Sequence, residues 1–391
     1  MALFERSEYL TRIEATKNRM ADAGIEVLVA ADPANMNYLT GYDGWSFYVP
    51  QVVVVAADAE EPVWIGRGMD VNGAKHTTFL SPENIIGYPD DCVQHPVKHP
   101  MREVARVLRD RGWDRRTVGV ENDAYYYTAR CDAELRKSLP DATIRDASLL
   151  VNWVRVIKSE AEIAFMKEAG TIVENVMAAA LSNIRPGVRE CDAVAEVYRT
   201  QIAGTEGFGG DYPAIVPMMP TGEKTSAPHL TWTDAPYRAG EAVNLELAGC
   251  RHRYHSPLAR TAFFGKNPPE KLDRLAQHTV EGLILTLDAI RPGMPCEAVE
   301  RVWREHIAKA GLEKESRIGY SMGLNYPPDW GEHTASLRPG DTTELRPNMT
   351  FHIILGMWMD DYGFECSESF RVTETGFEAF ADVPRKLFLI D

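Results

Sequence analysis

Short apolar runs alternate with amphipathic stretches over the first third of the chain. Residues 7–23 carry apolar side chains at helical spacing and stop at Gly24, and residues 25–31 form an apolar run of strand length. Residues 51–57 and 62–66 read as two strands joined by a polar turn. After them, residues 101–111 predict a helix, residues 117–121 a strand and residues 125–138 a further helix. This mixed order predicts an α/β N-terminal domain over residues 1–153. A second domain, 154–391, opens where RVIKSEAEIAFMKEAG, from Arg155, starts a long helix that ends before Pro186 and Gly187.

The second domain repeats itself. IRPG occurs at Ile184 and again at Ile290, and each copy precedes a related nonapeptide, CDAVAEVYR from Cys191 and CEAVERVWR from Cys296. Val194, Val197 and Tyr198 in the first match Val299, Val302 and Trp303 in the second, at helical spacing. Two copies are too few for a solenoid, so the expectation is an α+β domain of two pseudo-symmetric halves, each a helix pair on a shared sheet.

Charge and cysteine usage narrow the function classes. A net charge of −15 argues against nucleic acid as a main partner, since phosphate binding needs a basic surface. The six cysteines are scattered with no CxxC pair, which predicts reduced thiols in a cytoplasmic protein. The N-terminal twenty residues are charged and amphipathic, and no apolar run approaches a membrane span.

The chemistry concentrates in EAVNLELAGCRHRYHSPLARTAFFG, from Glu241 to Gly265. Together with NYLTGYDGW from Asn37, RVIKSEAEI from Arg155 and the duplicated halves, it resembles the M24 peptidase superfamily of creatinase, prolidase, aminopeptidase P and methionine aminopeptidase. The resemblance covers the whole chain and implies a creatinase-like N-terminal domain followed by a pita-bread catalytic domain. In that superfamily five side chains hold a pair of metal ions. Carried onto this chain, the five positions fall on Glu246, Pro257, Tyr320, Ile354 and Ser367. A binuclear site needs several carboxylate oxygens and an imidazole, so the resemblance implies no metal and no other cofactor here.

One functional position is kept. His229 stands seventeen residues before Glu246, the spacing of the family's non-ligand histidine from its first metal aspartate. A carboxylate to attack or activate water and an imidazole to move protons are what a metal-free hydrolase requires. Strand alternation adds His352 and Glu365, which share a face with Ile354 and Ser367 respectively. Tyr320 takes the place of a ligand histidine, and Glu332 and His333 lie in the segment where creatinase-like enzymes contact substrate. Trp45 and Tyr48, with Phe47, form an aromatic cluster that the resemblance puts over a small ring substrate. Creatinase-like proteins are commonly homodimers whose sites are completed by the partner's N-terminal domain.

The resemblance is strongest to the metal-free branch that opens the cyclic amidine of ectoine to N-acetylated 2,4-diaminobutyrate. It implies ectoine, with hydroxyectoine as a variant substrate, and a downstream deacetylase as a pathway partner. Two other readings stay open on the residues: a creatinase-type amidinohydrolase acting on a linear guanidino acid, and a non-catalytic pita-bread binding module.

Overall fold

The computed structural model describes residues 2–391, which divide into two compact units, one ending at Arg155 and the other running from Val156. The first holds α1 (Arg6–Asp22), β1 (Val27–Ala30), α2 (Pro33–Thr40), β2 (Val52–Ala56), β3 (Val63–Arg67), α3 (Val71–Thr77), β4 (Ile85–Tyr88), α4 (Pro100–Asp110), β5 (Thr117–Val120), α5 (Ala129–Ser138), β6 (Thr143–Asp146) and α6 (Leu150–Val154). Its six-stranded mixed sheet has the order β4-β3-β2-β1-β5-β6. Val27 and Val29, Val52 and Val54, and Val118 and Val120 turn one face of that sheet onto α4 and α5. Helix α5 is shorter than the expected 125–138, because the Thr128 hydroxyl accepts from the Cys131 N–H and caps it there. Helix α2 carries no amphipathic signal, and all eight of its residues are buried. Its first turn is held by the Asp32 and Glu121 carboxylates.

The second unit contains α7 (Glu160–Asn183), α8 (Glu190–Ala203), β7 (Ala242–Arg251), β8 (Tyr254–Phe264), α9 (Glu270–Ala289), α10 (Cys296–Ala308), β9 (Gly319–Met322), β10 (Gly331–Leu337), β11 (Thr350–Trp358), β12 (Gly363–Val372), β13 (Phe377–Ala379) and β14 (Phe388–Ile390). Ser159 and Glu162 close a capping box at the start of α7. Each sequence repeat falls on the same succession, a long helix, a turn through IRPG, a shorter helix and a long antiparallel hairpin, which in the second half comes after β9 and β10. Helix α7 covers β7 and β8 while α9 covers β12, and β8 packs beside β12, so the two hairpins meet at the centre. Gly249 lets α7 approach β7, since a Cβ there would stand 2.0 Å from the Ala169 carbonyl oxygen.

The β7–β8 hairpin closes through His252 and Arg253, both at positive φ, a two-residue turn that ordinarily selects Asn-Gly. Tertiary contacts hold it instead. The His252 N–H donates to Asp211, its ring packs on Phe165, and the Arg253 guanidinium lies 3.8 Å from the Tyr212 ring centroid. None of the six cysteines forms a disulfide, and among the described residues no helix is long and apolar enough to cross a membrane.

Candidate active site

On β7 and β8, Val243, Leu245, Leu247 and Leu258 face the helical core, so alternation turns Asn244, Glu246, Ala248, Pro257, Ala259 and Thr261 to the other side. On the second hairpin His352 pairs with Ser369, Ile354 with Ser367 and Gly356 with Glu365. The two sets are stitched directly together. The Ala259 N–H donates to Ser367 Oγ at 2.6 Å, Ser369 Oγ donates to the Pro257 carbonyl at 2.5 Å, and the Glu365 N–H donates to Thr261 Oγ1 at 2.8 Å.

A polar chain runs through this junction. Trp330 Nε1 donates to the Tyr320 hydroxyl at 2.8 Å, which lies 3.1 Å from His352 Nδ1, and His352 Nε2 is 2.9 Å from Ser367 Oγ. Because the indole only donates, the Tyr320 proton goes to Nδ1 and the His352 proton sits on Nε2. Burial drives the His352 pKa down to about 3, so the ring is neutral at physiological pH. It orients its neighbours and does not deliver a proton as an imidazolium.

Three carboxyls share the site. Burial pushes Glu246 well above the ordinary carboxylate range, and the charges of Glu365 and Asp329 push it further. Glu365, also raised by burial, reaches about 7 even though it accepts from Trp358 Nε1 at 2.7 Å. Asp329 moves the other way. Burial raises it, but the His333 ring at 2.8 Å and the Gly331 N–H outweigh that and leave it below its usual value. His333 reaches Asp329 from a bulge in β10, at a φ of 59°. Lys314 completes the neighbourhood: its Nζ donates to the Gly356 carbonyl at 2.6 Å and sits 4.2 Å from the Trp358 ring centroid. Burial lowers its pKa to about 8, with Glu365 opposing. Lys314 and Trp358 line a cleft of about 360 Å³. Arg317 lies over the Tyr320 ring at 4.5 Å from its centroid.

These residues do not fit a binuclear metal centre. Of the five positions that the family uses, only Glu246 offers a carboxylate. The Pro257 carbonyl already accepts from Ser369, the Tyr320 phenol is held protonated by burial, Ile354 has no donor, and Ser367 Oγ is engaged by Ala259 and His352.

Of the residues picked from sequence, Glu246, Tyr320, His352, Glu365 and His333 come together. Glu332 does not join them: one residue along the strand from His333, it forms an ion pair of 2.7 Å with Lys158, both side chains 1 % exposed. His229 lies exposed beyond a short 3-10 turn at 222–226, and no described residue gives it a hydrogen bond or ion pair. Trp45 and Tyr48 belong to the first unit and are 58 % and 62 % exposed, whereas Phe47 is buried there. Asp329, Trp330, Trp358, Lys314 and Arg317 escaped the sequence reading. Strand alternation points to Trp358, two residues beyond Gly356, but the other four lie outside the long strands, in segments without periodicity.

The model of metallopeptidase family M24 matches residues 164–374, and that of the creatinase/prolidase N-terminal domain matches residues 12–157. The chain belongs to family M24, in its two-domain creatinase-like form, and is a hydrolytic enzyme. It is 47 % identical over 393 residues to the ectoine hydrolase of Halomonas elongata, covering 99 % of this chain and 98 % of that one. It is also 46 % identical over 388 residues, 99 % of both chains, to an uncharacterised hydrolase/peptidase of Sinorhizobium fredii. Among solved structures, a prolidase from Thermococcus sibiricus superposes with a TM-score of 0.84 at 18 % identity, covering 98 % of this chain and 99 % of that one. The dipeptidase PepE of Mycobacterium ulcerans does so with 0.81 at 22 %, covering 99 % of both. These two likenesses concern the fold.

Proposed function

We propose that this enzyme opens the ring of ectoine to N-acetyl-2,4-diaminobutyrate without a metal ion, as a cytoplasmic homodimer. The observation that carries the reading is Glu246, a buried carboxyl whose charged form Glu365 and Asp329 oppose, in a site whose other family metal positions are not ligands. Burial and both neighbouring carboxylates disfavour the charged form of Glu246, and the positive charge of a cyclic amidinium favours it. The bound cation lowers the Glu246 pKa, expels its proton and leaves a carboxylate beside an electrophilic amidinium carbon. Glu246 attacks the ring carbon that bears the methyl group and water then cleaves the adduct, releasing the acetamide and the Glu246 carboxylate, or Glu246 deprotonates a water that attacks that carbon directly. As the C–N bond breaks, Glu365, with a pKa near neutrality, donates to the leaving ring nitrogen. The proposed role of His229, exposed to solvent, is to carry protons between the site and bulk water. Trp45 and Tyr48 are proposed substrate-closing aromatics of the dimer. The likeness to the Halomonas enzyme supports the substrate; whether hydroxyectoine is also accepted turns on the same pocket.

The test is proton NMR of ectoine incubated with chelator-treated protein of measured metal content. Conversion to the acetylated diaminobutyrate is expected, at a rate that added Mn²⁺, Co²⁺ or Zn²⁺ does not raise. Turnover of creatine instead would replace the reading with a linear amidinohydrolase, and inertness to both with a binding module.

The substrate carboxylate needs a cationic partner, and Arg317, at the rim over Tyr320, is the proposed one. Arg317→Met is expected to raise KM by about tenfold with kcat little changed, the signature of lost uniform binding. An unchanged KM removes Arg317 from the site.

A further inference from the structure

A second cluster of chemistry-bearing side chains lies on the outer helices of the same unit. His278 and Glu281 stand three residues apart on α9, so they share one face, and His306 reaches them from α10. One ligand atom from each of the three lies within 4.8 Å of the others. None of them takes part in the Glu246 site.

Three further observations make this more than a chance meeting of side chains. His306 Nε2 lies 3.0 Å from the His278 carbonyl oxygen. A carbonyl only accepts, so Nε2 carries the ring proton and Nδ1 keeps the lone pair that a metal ion takes up, the arrangement in which ligand histidines are ordinarily fixed. Helix α10 comes this close because residue 282 is glycine: a Cβ there would stand 2.4 Å from Trp303 and 2.9 Å from His306 Cδ2. The cluster is also open to solvent. Glu281 is exposed, both imidazoles are half-buried, and His278 borders a cleft of about 210 Å³ through which an ion and its water can enter.

We propose that His278, Glu281 and His306 form a site for one divalent transition ion of the zinc type, which clamps α9 to α10. Two imidazoles and one carboxylate leave a fourth, water-occupied position in a tetrahedral set. Zinc bonds of this kind put neighbouring ligand atoms about 3.4 Å apart, so ligand atoms that now lie within 4.8 Å of one another close by at most about 1.4 Å on the ion. The donors suit zinc, and also cobalt(II), nickel(II) and copper(II), better than calcium or magnesium, which take oxygen ligands only. Because α9 covers β12, the strand of Glu365 and Ser367, an ion here stiffens the helical layer behind the pocket and takes no part in its chemistry.

The experiment is equilibrium dialysis of the chelator-stripped full chain against zinc chloride, with bound metal counted per chain and Tm recorded alongside. One zinc per chain and a raised Tm are expected for the parent and equally for Glu246→Gln, with cobalt(II) giving the visible absorption of a tetrahedral site. His306→Ala is expected to lose both the zinc and the Tm increase. Glu281→Gln, at an exposed position that folding does not depend on, is expected to fold normally and bind zinc roughly tenfold more weakly. Zinc retained at parental strength by Glu281→Gln or His306→Ala, or lost by Glu246→Gln, overturns the assignment, as does absence of binding to the parent.

Discussion

Glu246→Gln is expected to reduce turnover of ectoine by about 10³-fold or more while making the folded protein more stable above neutral pH. Both effects come from one cause. The Glu246 and Glu365 carboxyls hold their protons more tightly folded than unfolded, because burial disfavours their charged forms and the charges of Glu365 and Asp329 add to the load on Glu246. Between the unfolded value of about 4.5 and the raised folded value, about 7 for Glu365, the native state therefore binds more protons than the unfolded one, and stability falls as pH rises through that window. A neutral amide in place of Glu246 removes one of the two charges that must be forced into the same buried space. A gain is expected at pH 8 and a smaller one at pH 5, read from urea midpoints of parent and variant at the two pH values. A variant that is inactive but no more stable at pH 8 argues that Glu246 is not under this electrostatic load. The same linkage acts on substrate: binding the amidinium expels a proton, so KM for ectoine is expected to fall as pH rises from 5 to 7. Intact-mass analysis during slow turnover separates attack by Glu246, which leaves an adduct on the protein, from activation of water, which leaves none.

The second large effect is on stability. Arg260, fully buried on β8, donates from Nε to the Pro384 carbonyl and from its two terminal nitrogens to the carbonyls of Ala259, Ser367 and Val383 and to the Glu368 carboxylate at 2.7 Å. A guanidinium in this position ties the two central hairpins to the C-terminal segment in one plane, a geometry that an ammonium cannot reproduce. Arg260→Met preserves much of the volume but leaves Glu368 short of its buried partner, with only Arg385 remaining. The expected loss is about 3–5 kcal/mol, seen as a lower urea midpoint with an unchanged slope. A loss below about 1 kcal/mol would falsify the view that this ion pair holds the junction together. Arg260→Lys is expected to fall between parent and Met.

Much of this architecture was legible in the residues. The duplicated IRPG segments mark two equivalent helix pairs because both halves face the same packing problem. The alternation of β11 and β12 correctly put His352 and Glu365 on the face of Ile354 and Ser367, since a strand has only two faces. Legibility ended where contacts span the sequence. Glu332 beside His333 looked like a functional pair, yet neighbours on a strand point opposite ways, and Glu332 meets Lys158, which the sequence offered only as part of a helix start. Asp329 acquires its charge and position from a bulge that carries His333 back to it, a backbone event with no periodic signature. His229 is the reverse case: its spacing from Glu246 singled it out, and the chain leaves it exposed to solvent.

The short strand β14 lies parallel to the end of β8, with Phe388, Leu389 and Ile390 beside Ala262, Phe263 and Phe264. The hairpin that carries Glu246 is thus synthesised long before the segment that covers its outer edge. Until that segment has been made, the end of β8 presents bare backbone donors and acceptors, the state in which strands recruit foreign partners. The order of synthesis therefore makes completion of this sheet a late step, taken after the hairpin that carries Glu246 has already been made.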